Sequence, residues 1–208
     1  MPTIPGPAYR IVTRRLVIRC WNPADAPLLS QAIQESREHL LTFMPWAADE
    51  PKELQQRIEL LRVFRANFDL GKNFVLGVFN PQETAVLGGT GLHPRGAEGG
   101  LEIGYWIHKD HINQGLATEI SAALTKVAFE INGVKRVEIH MDPRNLASAA
   151  VPRKLGYLYE ATLRKRMLDS QGLPRDEMVW TLFAEDYPNS PSASTEIEAF
   201  DSAGRKII

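Results

Sequence analysis

Cysteine is almost missing from this chain: Cys20 is the only one in 208 residues. One thiol cannot form an internal disulfide, so a reducing, cytoplasmic setting is expected. Its place in the alternation Leu16, Ile18, Cys20 predicts a small buried hydrophobe rather than a reactive group. No run of eighteen apolar residues occurs, and the first seven residues lack the charged start and long apolar stretch of a secretory signal. Membrane insertion and export are therefore not expected. Charge of one sign is also lacking. The formal net charge is −1, which gives no basic field to draw in nucleic acid or an anionic membrane. Several motifs are missing as well. There is no G-x-G-x-x-G, no Gly-Lys-Ser/Thr phosphate loop and no G-x-S-x-G elbow, so Ser148, His140 and Asp142 do not read as a hydrolase triad. His108 and His111 stand three apart in a strand-to-turn segment with no carboxylate cluster to complete a ligand set, and no metal is expected.

What is present is enough apolar material, 44% of the residues, for one good-sized core, and no second periodic block calls for another domain. The expected layout is a mobile, proline-rich segment over 1–9, a single domain over 10–187 and a poorly ordered tail over 188–208, where Ser, Pro, Ala and acidic residues show little periodicity. Arg10 to Trp21 alternates as a first strand. A helix is expected to start at Asn22-Pro-Ala-Asp25 and to carry Leu28, Leu29, Ile33 and, after a break, Leu40 on one face. Leu54, Ile58, Leu61, Phe64 and Phe68 mark a second helix that Gly71 ends. Strands follow over Phe74–Phe79 and Ala85–Leu92, joined by a turn at Asn80 to Glu83, and a Gly-rich loop from His93 to Gly100 leads into the centre of the chain. Beyond the centre, Val137, Ile139 and Met141 form one side of a half-buried strand closed by Asp142-Pro143. Asn145 to Leu155 reads as helix with Gly156 as its stop, and Tyr157–Leu168 and Met178–Phe183 as the last strands.

The centre, LEIGYWIHKDHINQGLATEISAALTKVAF over 101–129, carries the chemistry. Leu101–His108 is a buried strand whose Gly104 leaves room for a bulge or for another backbone to approach. After the turn Lys109-Asp110-His111, Leu116, Ile120, Leu124, Val127 and Ile131 recur at helical spacing, so a helix begins near Gly115. A strand, a glycine-bearing turn and a helix start gather unpaired N–H groups and a positive dipole end in one place. Gly115 lets an oxygen reach the backbone, Ala117 adds little bulk, and Thr118 offers a hydroxyl. The arrangement suits a phosphate.

Four pieces of this chain, Glu102-Ile-Gly-Tyr-Trp-Ile107, Gln114-Gly-Leu-Ala-Thr-Glu119, Asn145-x-x-Ser148 and Lys154-Leu-Gly-Tyr157, resemble the GNAT family of acyl-CoA-dependent N-acetyltransferases. The resemblance is to its RimJ/RimL-type branch, the ribosomal-protein N-terminal acetyltransferases. Thr13 to Arg19, Asp25-Ala26, Glu35 to Leu40 and Met44-Pro-Trp46 extend it over roughly residues 10–184. It implies a mixed α+β fold, a twisted, mainly antiparallel sheet of about seven strands splayed at its centre and flanked by helices. It also implies transfer of an acetyl group from acetyl-CoA directly to a primary amine of a protein N-terminus or a small molecule. The oligomeric state is left between monomer and homodimer. Donor binding falls on Ile107, His108, Asn113, Gln114, Gly115, Leu116, Ala117, Thr118, Asn145 and Ser148, with the Ile107 N–H as carbonyl donor. The acceptor wall falls on Phe43, Trp46, Phe64 and Glu102.

Direct transfer needs a neutral amine, a polarised carbonyl and a stabilised thiolate. Glu102 is the candidate base, with Glu98, Glu160 and Glu177 as substitutes. Ser148 is the candidate partner of the leaving sulfur, because the tyrosine that many relatives carry in this helix is replaced by Pro152. Asn145 also suits the helix N-cap. Ile112 stands where the wider family has Gln or Arg, so the backbone must hold more of the diphosphate. A module that binds acyl-CoA without efficient transfer, or a transferase for a longer acyl group such as succinyl, remains the alternative reading.

Overall fold

The computed structural model describes residues 8–95 and 99–208; the calls on residues 1–7 and on Glu98 lie outside the described residues. The stretch read as one first strand is two, β1 (Arg10–Val12) and β2 (Val17–Cys20), paired antiparallel. Thr13 closes the turn between them: its N–H donates to the Leu16 carbonyl and its hydroxyl accepts from the Leu16 N–H at 3.1 Å. Alternation continues through such a short turn and hides it.

Two helices follow, α1 (Ala26–Leu41) and α2 (Leu54–Asp69). The break expected before Leu40 does not occur, since Leu29, Ile33, Ser36 and Leu40 are all buried on one continuous face. Then come β3 (Phe74–Phe79), β4 (Val86–His93), β5 (Gly100–Ile107), α3 (Leu116–Glu130), β6 (Arg136–Met141), α4 (Leu146–Lys154), β7 (Leu158–Leu168) and β8 (Pro174–Phe183). The final strand β8 begins four residues earlier than Met178, as the partner of the far end of β7.

Among the described residues nine strands, rather than about seven, form one sheet in the order β7-β8-β6-β5-β4-β3-β2-β1-β9, with β9 at Glu198–Phe200. Every pairing is antiparallel except β5 with β6. The extra strands are the split first strand and β9, which pairs with β1 from Arg10↔Phe200 to Val12↔Glu198. The expectation of a poorly ordered tail over 188–208 is corrected accordingly. Ala199 and Ser192 are fully buried, and the Tyr9 N–H donates to the Phe200 carbonyl at 2.8 Å. A three-residue strand is too short for its periodicity to show. Ala8 and Tyr9, expected to be mobile, are also engaged: Ala8 is buried and the Tyr9 ring meets Phe68 edge-on at 4.8 Å.

Successive side chains of β2 divide between two apolar clusters, as strand alternation requires. Val17 joins Trp21, Leu29, Ile33, Leu61 and Phe79, while Ile18 joins Leu76, Leu101, Ile120, Leu124 and Val127. Ile120, Leu124 and Val127 of α3 have no exposed surface, and each such burial contributes about 1.5–3 kcal/mol. This packing fixes the start of α3 against β5, where the site lies. No described helix is long and apolar enough to cross a membrane.

Candidate active site

The site begins where the sheet opens. β4 and β5 stay paired from His93↔Glu102 to Gly88↔Ile107, but β5 and β6 pair only from Gly100↔Arg136 to Glu102↔Glu138. Beyond Glu102 one edge of β5 has lost its neighbour. The His108 N–H donates to the Leu87 carbonyl of the β4 side at 2.8 Å. Neighbouring N–H groups of a strand point to opposite sides, so the Ile107 N–H faces the open side.

Two cavities flank this opening, of about 580 Å³ and about 470 Å³. Both are walled by Phe43, Met44, Tyr105, Trp106, Asn145 and Ser148, so they meet across these residues. The smaller is lined by Ile107, Asn113, Gly115, Leu116, Ala117 and Thr118, which the motif had picked out. Asn113 and Gly115 both take left-handed backbone angles, φ 58° and 77°. No side chain caps the start of α3, which leaves its first N–H groups for a guest. A Cβ added at Gly115 would find nothing nearer than Arg15 Nη2 at 3.7 Å. The space over that residue is open, as the approach of a diphosphate oxygen requires. Arg15 braces the turn from the β1–β2 side, donating to the Gln114 carbonyl at 2.9 Å and pairing with Glu119.

Two residues of the donor set lie elsewhere. Gln114 turns its side chain back to the Asp110 carbonyl at 3.1 Å. His108 is buried, with Nε2 3.0 Å from Glu35 of α1 and Nδ1 accepting the Asp110 N–H at 3.3 Å. Glu35, His108 and Asp110 thus come together, a grouping the sequence spacing had not suggested. Both imidazole nitrogens are already engaged, and the ring serves as a tie between α1 and the turn after β5.

The larger cavity holds Phe43, Trp46, Phe64 and Glu102 in its lining. Glu102 is 3.3 Å from Arg95 and 3.9 Å from His140 Nδ1. His140 is itself enclosed by acids, Nδ1 3.3 Å from Glu177 and Nε2 3.0 Å from Glu138. Of the substitute bases, Glu177 therefore belongs to the same cluster, whereas Glu160 accepts from the Thr181 hydroxyl at 2.7 Å on the β7–β8 face. Asp142 bonds the Arg144 side chain, which holds its carboxyl down at about 2 against the opposing effect of burial, and it also pairs with buried Arg175 at 2.9 Å. Arg175 in turn donates to the Thr42 carbonyl at 3.2 Å, tying the segment that carries Phe43 and Met44 to the end of β6.

His93, across from Glu102, has Nδ1 2.7 Å from the Asn73 side-chain oxygen, and burial, then Arg95, lowers it to about 4. Its ring lies over Gly91 and Gly104, where an added Cβ would meet it. No bulge forms at Gly104; the missing side chain makes room for this ring.

At the meeting of the cavities stands Ser148. Asn145 caps α4 by accepting the Ser148 N–H at 3.1 Å, as the sequence predicted. The Ser148 hydroxyl is 2.9 Å from the Tyr105 hydroxyl, and the Tyr105 O–H also lies 3.3 Å from the Ser148 carbonyl. That carbonyl would ordinarily bond the N–H four residues on, which Pro152 lacks. Burial pushes the Tyr105 phenol up to about 12, against the Ser148 hydrogen bond, so it is a neutral donor. Sequence reasoning gave no role to Tyr105 or His93 and considered His140 only in a hydrolase triad that it set aside. His93 and His140 share the face of Glu102 on neighbouring strands, and Tyr105 points to the other face toward α4; both readings need the register.

Residues 15–158 match the family described as "Acetyltransferase (GNAT) domain". The chain is 25% identical over 154 residues to "Probable N-acetyltransferase YjcK" of Bacillus subtilis, covering 73% of this chain and 84% of that one. Among solved structures it is similar to Mycobacterium smegmatis RimJ in complex with CoA-disulfide, with a TM-score of 0.77 at 23% identity over 91% of this chain and 94% of that one. It is likewise similar to RimL, "Ribosomal L7/L12 alpha-N-protein acetyltransferase", in complex with coenzyme A, with a TM-score of 0.75 at 17% identity over 83% and 96%.

Proposed function

This chain belongs to the GNAT family of N-acetyltransferases, with acetyl-CoA as donor, and on that premise we propose that it acetylates the α-amine of a protein N-terminus by direct transfer. One observation carries the reading: two cavities of different character share a wall at Tyr105 and Ser148. A thioester reaching that wall from the open α3 start and an amine reaching it from the Glu102 side would meet without a covalent enzyme intermediate. The name of the RimL neighbour, an α-N-protein acetyltransferase, supports a polypeptide terminus over a small amine.

The amine arrives protonated, and the acids around His140 favour a cation there. Glu102 takes its proton, directly or through water. The amine nitrogen then bonds to the acyl carbon while the Ile107 N–H, on the unpaired edge of β5, steadies the oxygen as it gains charge. The carbon–sulfur bond breaks, its electron pair goes to sulfur, and the Ser148 hydroxyl donates a hydrogen bond to the thiolate; the second proton that the nitrogen sheds as the amide forms passes through water to the sulfur, which leaves as the CoA thiol.

The experiment is a panel of peptides with free N-termini beside small primary amines, each followed by release of free CoA thiol. Glu102→Gln should lower turnover about a hundredfold and flatten the rise of rate with pH. An amine of lower pKa should recover part of that loss. Wild-type turnover and an unchanged pH profile in Glu102→Gln would overturn the assignment of the base, and turnover confined to small amines would overturn the acceptor.

A further inference from the structure

The absent helix tyrosine leaves a gap in the chemistry, because the position carries Pro152 and Ser148 alone would meet the leaving sulfur. We infer that Tyr105, on β5, is the residue that orients Ser148 for this task, and that Pro152 is part of the same device. The inference rests on the proposed role of Ser148 and adds a positioning residue to it.

A serine hydroxyl rotates freely, and an unguided one spends its proton on the nearest carbonyl, in a helix the one four residues back. Here the choice is narrowed. The Tyr105 hydroxyl stands 2.9 Å from Ser148 Oγ. It is buried and neutral, so it has one proton to donate. With the Tyr105 O–H given to Oγ, the Ser148 proton is the one left to point into the shared wall, and a hydroxyl that accepts a hydrogen bond is a stronger donor for it. Pro152 contributes by what it lacks. Without its N–H, the Ser148 carbonyl keeps a lone pair facing Tyr105 at 3.3 Å, so the phenol is held between two acceptors on one residue rather than swinging on one. Tyr105 also lines both cavities, as Ser148 does.

In the transfer step nothing is shuttled through the phenol. The acyl carbon–sulfur bond breaks, sulfur keeps the pair, one amine proton goes to Glu102 and the second through water to the sulfur, and the Ser148 O–H turns to the thiolate while Tyr105 O–H holds Oγ. The role of Tyr105 ends in orientation.

Single-turnover acetylation, acetyl-CoA affinity by calorimetry and thermal melting on Tyr105→Phe, Ser148→Ala and the double variant test this. Tyr105→Phe removes one oxygen and should slow transfer about tenfold, with affinity unchanged and a small fall in melting temperature from the lost hydrogen bonds. Added to Ser148→Ala it should cost nothing more, because an oriented group cannot be lost twice. Losses that multiply, or a Tyr105→Phe enzyme as fast as wild type beside a slow Ser148→Ala, would overturn the inference while leaving Ser148 its role. A Ser148→Ala enzyme with the wild-type rate would overturn the reading of Ser148, and this inference with it.

Discussion

At the scale of single residues, His93 gives the sharpest pH signature of the fold. An imidazole ordinarily titrates near 6.5; here burial holds it at about 4. Between those two values the unfolded chain binds a proton that the folded chain refuses, so stability falls as pH drops from about 6.5 toward 4 and the contribution levels off below. By pH 4.5 the loss from this one group amounts to about 2–3 kcal/mol. His93→Gln retains an amide to bond Asn73 and has nothing to titrate. Denaturant unfolding of both proteins at pH 7.5 and 4.5 should therefore show the variant losing less by that difference. Equal losses would mean that the ring takes up its proton without opening the fold. The residue scale also shows what a motif can and cannot disclose. Glu102, Asn145 and Ser148 could be picked out because each sits at a fixed offset within a short local pattern. Tyr105 and His93 could not, nor could the acids around His140, because what makes them matter is a partner 20 to 43 positions away, brought close by the tertiary fold.

At the scale of elements, the helix start of α3 was readable from one glycine and an apolar repeat, and the structure adds why it stays open. Gly115 sits at φ 77° with no side-chain cap behind it, and among the described residues beyond its chain neighbours the one atom within 4 Å of its missing Cβ belongs to Arg15. Gly115→Val puts branched bulk over the N–H groups and strains the left-handed turn. Acetyl-CoA affinity should fall at least tenfold, about 1.4 kcal/mol, as measured by calorimetry with circular dichroism to confirm the fold. Undiminished affinity would move the diphosphate away from this turn. Arg15 reaches the same place from the β1–β2 turn, an element that the alternation of Arg10 to Trp21 had concealed. Periodicity finds strands well and turns inside them badly, because a two-residue period survives a tight turn that reverses direction.

At the scale of the whole molecule, the terminal segment is joined to the donor site through the edge of the sheet. β9 pairs with β1; the turn that ends β1 carries Thr13, whose hydroxyl bonds Glu119 at 2.6 Å, and Arg15, which holds both Glu119 and the Gln114 carbonyl. Glu119 and Gln114 flank Gly115. The larger cavity draws its walls from α1, α2, the segment between them, β3, β4, β5, the end of β6, α4 and Met167, and meets the β1–β2 edge at Trp21 rather than at the turn of Thr13 and Arg15. Truncation after Ser194 removes β9 and leaves β1 as an edge strand of three residues paired with β2 alone, a length that holds poorly without a neighbour on both sides. Melting temperature should drop, and at a temperature where the shortened protein is still folded the KM for acetyl-CoA should rise several-fold while the KM for the acceptor changes little. Steady-state kinetics with each substrate varied in turn separate the two. Equal changes in both constants would point to general loosening, and no change in either would show that the β1–β2 turn keeps its hold on α3 without β9. A tail expected from its composition to be poorly ordered is, by its pairing, an outer support of the turn before α3.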